Sequence, residues 1–131
     1  MPTHPASLFS IATGSPEPIY RQLVEQVRRL SASGQLRPGD EMPSVREIAQ
    51  ALALNPMTVS KAYGLLEMDG VLARRRGLGM VVADSAAPAG KADILGLLRP
   101  TLERAAVEAR QLELDPDTVL SLFATILKEK K

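Results

Sequence analysis

The 131-residue chain has no cysteine and no tryptophan, a single histidine, and four aromatic residues, Phe9, Tyr20, Tyr63 and Phe123. Without cysteine, disulfides and thiolate metal sites are excluded. His4 has no second ligand spaced to join it, so it reads as a solvated tail residue and not as a metal ligand. So few aromatics argue against stacking of single-stranded nucleic acid and against a large aromatic ligand pocket. The carboxylates fall mostly on expected solvent faces beside lysines or arginines, so no nucleophile, base and metal set can be assembled. Neither an enzyme nor a cofactor is expected. Five methionines are scattered, and Met42, Met68 and Met80 read as core fillers.

Long apolar runs are missing too. None approaches the ~18 residues that a membrane helix needs, and the N-terminus lacks a basic region followed by an apolar core. A soluble, cytoplasmic protein without membrane contact is expected. The hydrophobic content of 45% is normal for a globular chain. The formal net charge is +1, and residues 1–85 hold nine Lys/Arg against eight Asp/Glu. Any affinity for nucleic acid must therefore come from local placement and from pairing of copies, not from a bulk positive field.

What the chain does contain is organised around residues 39–82. Pro43 stops the preceding segment, and Ser44 with Glu47 three positions on makes an S-x-x-E capping box, so a helix should begin at Ser44 or Val45. Val45, Ile48, Ala49 and Leu52 form its apolar face. Asn55-Pro56 then gives a second start, N-cap followed by proline at the first helical position. So short a turn is that of a helix-turn-helix. The second helix, 56–69, should bury Val59, Ala62, Leu65 and Leu66 and close at Gly70. Its exposed positions near the start, Met57, Thr58, Ser60 and Lys61, would face a major groove.

A hairpin follows over 71–82. Val71–Arg74 and Leu78–Val82 read as strands, with a turn at Arg75-Arg76-Gly77 and glycine where a positive φ is needed. Arg74, Arg75 and Arg76 on such a wing can reach phosphates or a minor groove. Three adjacent arginines are more often a solvated cluster, but the helical corner just upstream favours nucleic acid.

The flanks are simpler. Residues 1–16 are rich in Pro, Ser, Thr and Ala; they read as an N-terminal arm, with a frayed tail the expectation and SLFSI at 7–11 the one stretch fit for a strand. A helix from Pro18 carries Ile19, Leu23, Val27 and Leu30 on one stripe and ends at Ser33-Gly34. Residues 84–91 read as a small-residue linker. Over 92–114, Ile94, Leu98, Leu102, Ala105, Ala109 and Leu112 recur at helical spacing, with Pro100 near the first turns or kinking the helix. Asp115-Pro116 starts another helix with Val119, Leu122, Phe123, Ile126 and Leu127 on its apolar face. Two closely joined helices cannot enclose their own stripes, so a homodimer with four-helix packing is expected through these residues.

The runs SGQLRPGDEMPSVREIAQAL, NPMTVSKAYGLLEMDGVL and RRRGLGMVV, in that order, resemble the DNA-binding domain of the GntR family of bacterial transcription regulators across roughly residues 17–83. The resemblance implies a mostly α fold with a small β wing: a winged helix-turn-helix plus a two-helix C-terminal dimerisation segment. Residues 92–131 are too short for the large effector-binding or aminotransferase-like domains of other members, so the tail resembles the short YtrA-type branch. That branch implies a dimeric repressor, often of a transporter operon, binding a palindromic double-stranded DNA operator. Arg46 resembles the arginine of the first corner helix that contacts DNA, and Ser44 would add a phosphate contact. Thr58, Ser60 and Lys61 match groove-facing positions, and Arg76 and Gly77 match the wing tip. Many members have arginine where this chain has Pro56 and Ser60, and short-branch relatives often have asparagine at Met57. These departures bear on base preference and not on the fold.

An alternative of another class is a winged-helix module for protein association, favoured by the near-neutral charge and by Met57 on the exposed face. Competition with duplex DNA separates the two. A third reading adds a small-molecule effector between the subunits, although no polar cluster in the sequence would hold one.

Overall fold

The computed structural model describes residues 3–84 and 91–129, so most of the expected linker, residues 85–90, lies outside the described residues. The chain divides into two compact units, residues 1–94 and 95–131.

In the first unit, helix α1 (Ile19–Ala32), α2 (Val45–Leu52) and α3 (Pro56–Met68) are followed by the antiparallel strands β1 (Leu72–Arg75) and β2 (Gly79–Val82). The starts follow the capping chemistry. Ser44 Oγ accepts from the Glu47 amide at 3.0 Å while Glu47 Oε1 accepts from the Ser44 amide at 2.9 Å, satisfying two of the donors that a helix start leaves free. Asn55 Oδ1 accepts from the Met57 amide at 2.9 Å ahead of Pro56. The corner is turned by Ala53, left-handed at φ 55, with the Leu54 amide donating back to the Ala49 carbonyl at 2.9 Å in a Schellman-type closure.

The core gathers Leu23, Val27, Leu36, Ile48, Val59, Ala62, Leu66, Leu72 and Val82, all nearly inaccessible to solvent. Truncating the leucines or the isoleucine among them to alanine costs about 2–5 kcal/mol each, which is why the corner holds its shape. Helix α1 packs on α3, and a short 3₁₀ turn at Ala6–Leu8 lies against α2. SLFSI is therefore not a strand: Phe9 is buried in the core. Nor is the arm frayed. Gln22 accepts from the Ala12 amide at 2.9 Å and donates to the Glu17 carbonyl at 2.9 Å, and Gln26 brackets the backbone of Ser10.

Residues 39–42 run along β2: the Gly39 amide donates to the Val82 carbonyl, the Val82 amide to the Asp40 carbonyl (both 2.8 Å), and the Met42 amide to the Met80 carbonyl at 2.9 Å. On the other side of this segment the His4 amide donates to the Glu41 carbonyl at 3.1 Å. His4 Nε2 lies 2.8 Å from Asp40 Oδ2, so His4 is a tether and not the solvated residue expected. Met42 and Met80 are core residues, but Met68 is 84% exposed and fills nothing.

The second unit continues α4 (Lys91–Gln111), which contains Pro100 inside the helix, and α5 (Pro116–Lys128). Glu113, at φ 57, turns the chain between them. Asp115 caps α5 through Thr118, whose amide donates to Oδ2 at 3.1 Å. Among the described residues no side chain from 94 to 129 is buried. Ile94, Ala109, Val119 and Phe123 are half-covered; Leu98, Leu102, Ala105, Leu112, Leu122 and Ile126 are exposed. Exposed Leu95, Leu97, Val107, Leu114, Leu120 and Leu127 make the apolar surface wider than the stripes seen in sequence. Among the described residues no helix is long and apolar enough to cross a membrane.

Candidate nucleic-acid interface

The capped start of α2 presents Ser44 and Arg46 to solvent. Ser44 Oγ already accepts one hydrogen bond as a cap and keeps its own proton for another acceptor. Arg46 has no ion-pair partner among the described residues. It lies beside a shallow groove that Val45, Ala49, Gln50, Leu54 and Pro56 also line, between α2 and the start of α3.

On α3 the expected reading positions differ from one another. Met57 is 78% exposed, Ser60 is exposed, and Thr58 is half-buried. Lys61 is exposed, but its Nζ sits 4.0 Å from the centroid of the Tyr20 ring on α1, a cation–π contact worth roughly 0.5–1 kcal/mol at such a site. Tyr63, one turn on from Val59, is buried and donates its hydroxyl to the Pro43 carbonyl at 2.5 Å. Burial, reinforced by the Glu47 carboxylate, pushes its phenol well above the ordinary tyrosine range. In the sequence the only sign of this role is the spacing of Tyr63 on the Val59 face of α3.

The wing turn is displaced by one residue from its expected place. Arg75 pairs with Gly79, so the loop is Arg76-Gly77-Leu78, with Gly77 and Gly79 both at φ 81. Two left-handed glycines allow this shifted three-residue closure, which puts Arg75 on the strand. All three arginines are exposed. Arg74 lies 3.6 Å from Glu67 Oε1 and Arg75 3.6 Å from Asp84 Oδ2, while Arg76 has no ion pair among the described residues. Arg46, the start of α3 and the arginine wing thus belong to one compact unit. No group of three or more metal-ligating His, Cys, Asp or Glu occurs among the described residues.

Residues 19–82 match the profile described as bacterial regulatory proteins, gntR family. The chain is 42% identical over 79 residues to the HTH-type transcriptional repressor YtrA of Bacillus subtilis, covering 60% of this chain and 61% of that protein. It is 36% identical over 94 residues to the HTH-type transcriptional regulator YhcF of the same organism, covering 72% and 73%. Among solved structures, YtrA from Sulfolobus acidocaldarius, a GntR-family transcription factor, aligns with TM-score 0.55 at 29% identity over 91% of this chain and 96% of that one. The AraR DNA-binding domain in complex with operator ORX1 aligns with TM-score 0.50 at 27% identity over 57% and 93%. With the winged helix-turn-helix and its family profile in agreement, the chain belongs to the GntR family of bacterial regulatory proteins.

Proposed function

We propose that the protein is a dimeric transcription repressor that reads a palindromic DNA operator, one half-site per subunit, with α3 in the major groove and the 71–82 wing on the adjoining backbone or minor groove. The observation that carries this is the common presentation of Arg46, the exposed start of α3 and Arg76 by one compact unit, with neither arginine ion-paired among the described residues. The likeness to the YtrA repressor and to a DNA-binding domain bound to its operator supports it. Ser44, Arg46 and Arg74–Arg76 supply phosphate contacts, and Met57, Thr58 and Ser60 face the bases. In this reading residues 1–16 are an arm, 17–83 the reading head, 84–91 a linker and 92–131 the pairing segment.

The wide apolar surface of α4 and α5 supports the homodimer, since such a surface left in water is an association site. The protein acts in the cytoplasm without catalysing a reaction, and the resemblance to the YtrA-type branch makes a transporter operon the proposed target. Titration of a labelled duplex from the promoter upstream of its own gene, against a scrambled duplex, tests the reading. Preference of about a hundredfold or more for the promoter, with two subunits per site, is expected. Binding to neither duplex would refute it and leave protein association as the use of this face.

A further inference from the structure

We propose that Met57 reads the 5-methyl group of a thymine in each operator half-site. This rests on the reading that the start of α3 enters the major groove. Residues at the start of a recognition helix are the ones that reach base edges, and there Met57 holds its side chain 78% exposed. Its amide is already taken by Asn55 Oδ1 at 2.9 Å. What it offers the groove is the flexible thioether chain alone.

The neighbouring positions do not compete for the role. Thr58 is half-buried, Ser60 offers a hydroxyl that suits either donor or acceptor, and Lys61 is drawn towards Tyr20, 4.0 Å from its ring centroid. Apart from Lys61, held at Tyr20, these positions have none of the groups that pair with guanine or adenine bidentately or accept from cytosine: 57, 58 and 60 are methionine, threonine and serine. The thymine methyl is the apolar group that base pairs project into the major groove. An unbranched, polarisable methionine can settle against it without a demanding geometry. A cytosine at that position would leave Met57 against bare ring edge and lose the contact.

The test uses the full chain and the footprinted promoter duplex, with each thymine in turn replaced by uracil, which keeps the base pair and removes only the methyl. Binding of the parent chain should weaken about threefold to fivefold, the worth of one buried carbon, at one symmetry-related pair of positions. Met57→Ala, which removes the contact from both half-sites, should bind the unmodified duplex with about the square of that loss, roughly tenfold to twenty-fivefold, and be indifferent to uracil at that pair. The proposal is overturned if no uracil position weakens the parent chain, or if Met57→Ala shows the same uracil penalty. Failure of the parent chain to bind the unmodified duplex would remove the DNA reading itself, and this assignment with it.

Discussion

The Tyr63 hydroxyl donates to the carbonyl of Pro43 at 2.5 Å, so α3 is pinned to the residue that precedes the Ser44 cap of α2. Through this bond α3 and α2, which carries Arg46, share a fixed angle. Tyr63→Phe keeps the ring and strands a buried carbonyl. It should cost about 1–3 kcal/mol in urea unfolding and weaken DNA binding beyond the effect of stability alone. An unchanged urea midpoint would show that the bond contributes nothing net.

The wing arginines are not equivalent. Arg74 and Arg75 lie 3.6 Å from Glu67 and Asp84, whereas Arg46 and Arg76 have no ion pair among the described residues. Arg46→Ala and Arg76→Ala should each lower the slope of log affinity against log salt by about one unit per half-site, about two on the full palindrome, and leave the melting temperature unchanged. Glu67→Gln, which releases Arg74, should tighten binding at low salt. If both arginine variants keep the parental salt slope, neither touches phosphate.

Asp40 is buried and accepts from the Arg37 amide at 3.0 Å and from His4. Burial pulls its pKa upward, but the hydrogen bonds from His4 and the Arg37 amide, with those residues' charges, hold it below the ordinary 3.8. A carboxyl with a lowered native pKa stabilises the fold above its unfolded value, and that contribution disappears as pH falls through the native value. Stability should therefore decline as pH falls below 3.8. Asp40→Asn should lose this limb of the profile and be less stable at neutral pH. Chemical denaturation of both chains across pH 2–7 checks the sign, and parallel profiles would count against it.

Ala53 sits at φ 55, where a Cβ is unfavourable by roughly 1–2 kcal/mol. Ala53→Gly should stabilise the corner, by less than this cost because glycine also loses more entropy on folding. Ala53→Val should destabilise it. A lower melting temperature for the glycine variant would mean that the left-handed corner is not where the chain turns in solution.

Leu102 and Leu122 are exposed on α4 and α5. Introducing glutamate at both should make the chain monomeric in sedimentation velocity and weaken binding to the full palindrome far more than to one half-site, with the far-ultraviolet spectrum of the winged head retained. A dimer that survives both changes would place the pairing surface elsewhere.

The sequence by itself determined the local events. The capping box at Ser44 and Glu47, the Asn55-Pro56 start, the glycines of the wing and the apolar spacing of α1, α2 and α3 are each set by residues within a turn or two, so they are legible one-dimensionally. Tertiary structure decided what distant residues do to one another. It seated Phe9 in the core, tied the arm to Gln22 and Gln26, joined His4 to Asp40, drew Lys61 to Tyr20 and bonded Tyr63 to Pro43. None of these follows from periodicity, because each depends on which distant groups folding brings into contact, the polar contacts spanning 10 to 41 residues of chain. The one-residue shift of the wing turn has the same origin. Two glycines permitted either closure, and the pairing of β2 with residues 39–42 chose between them.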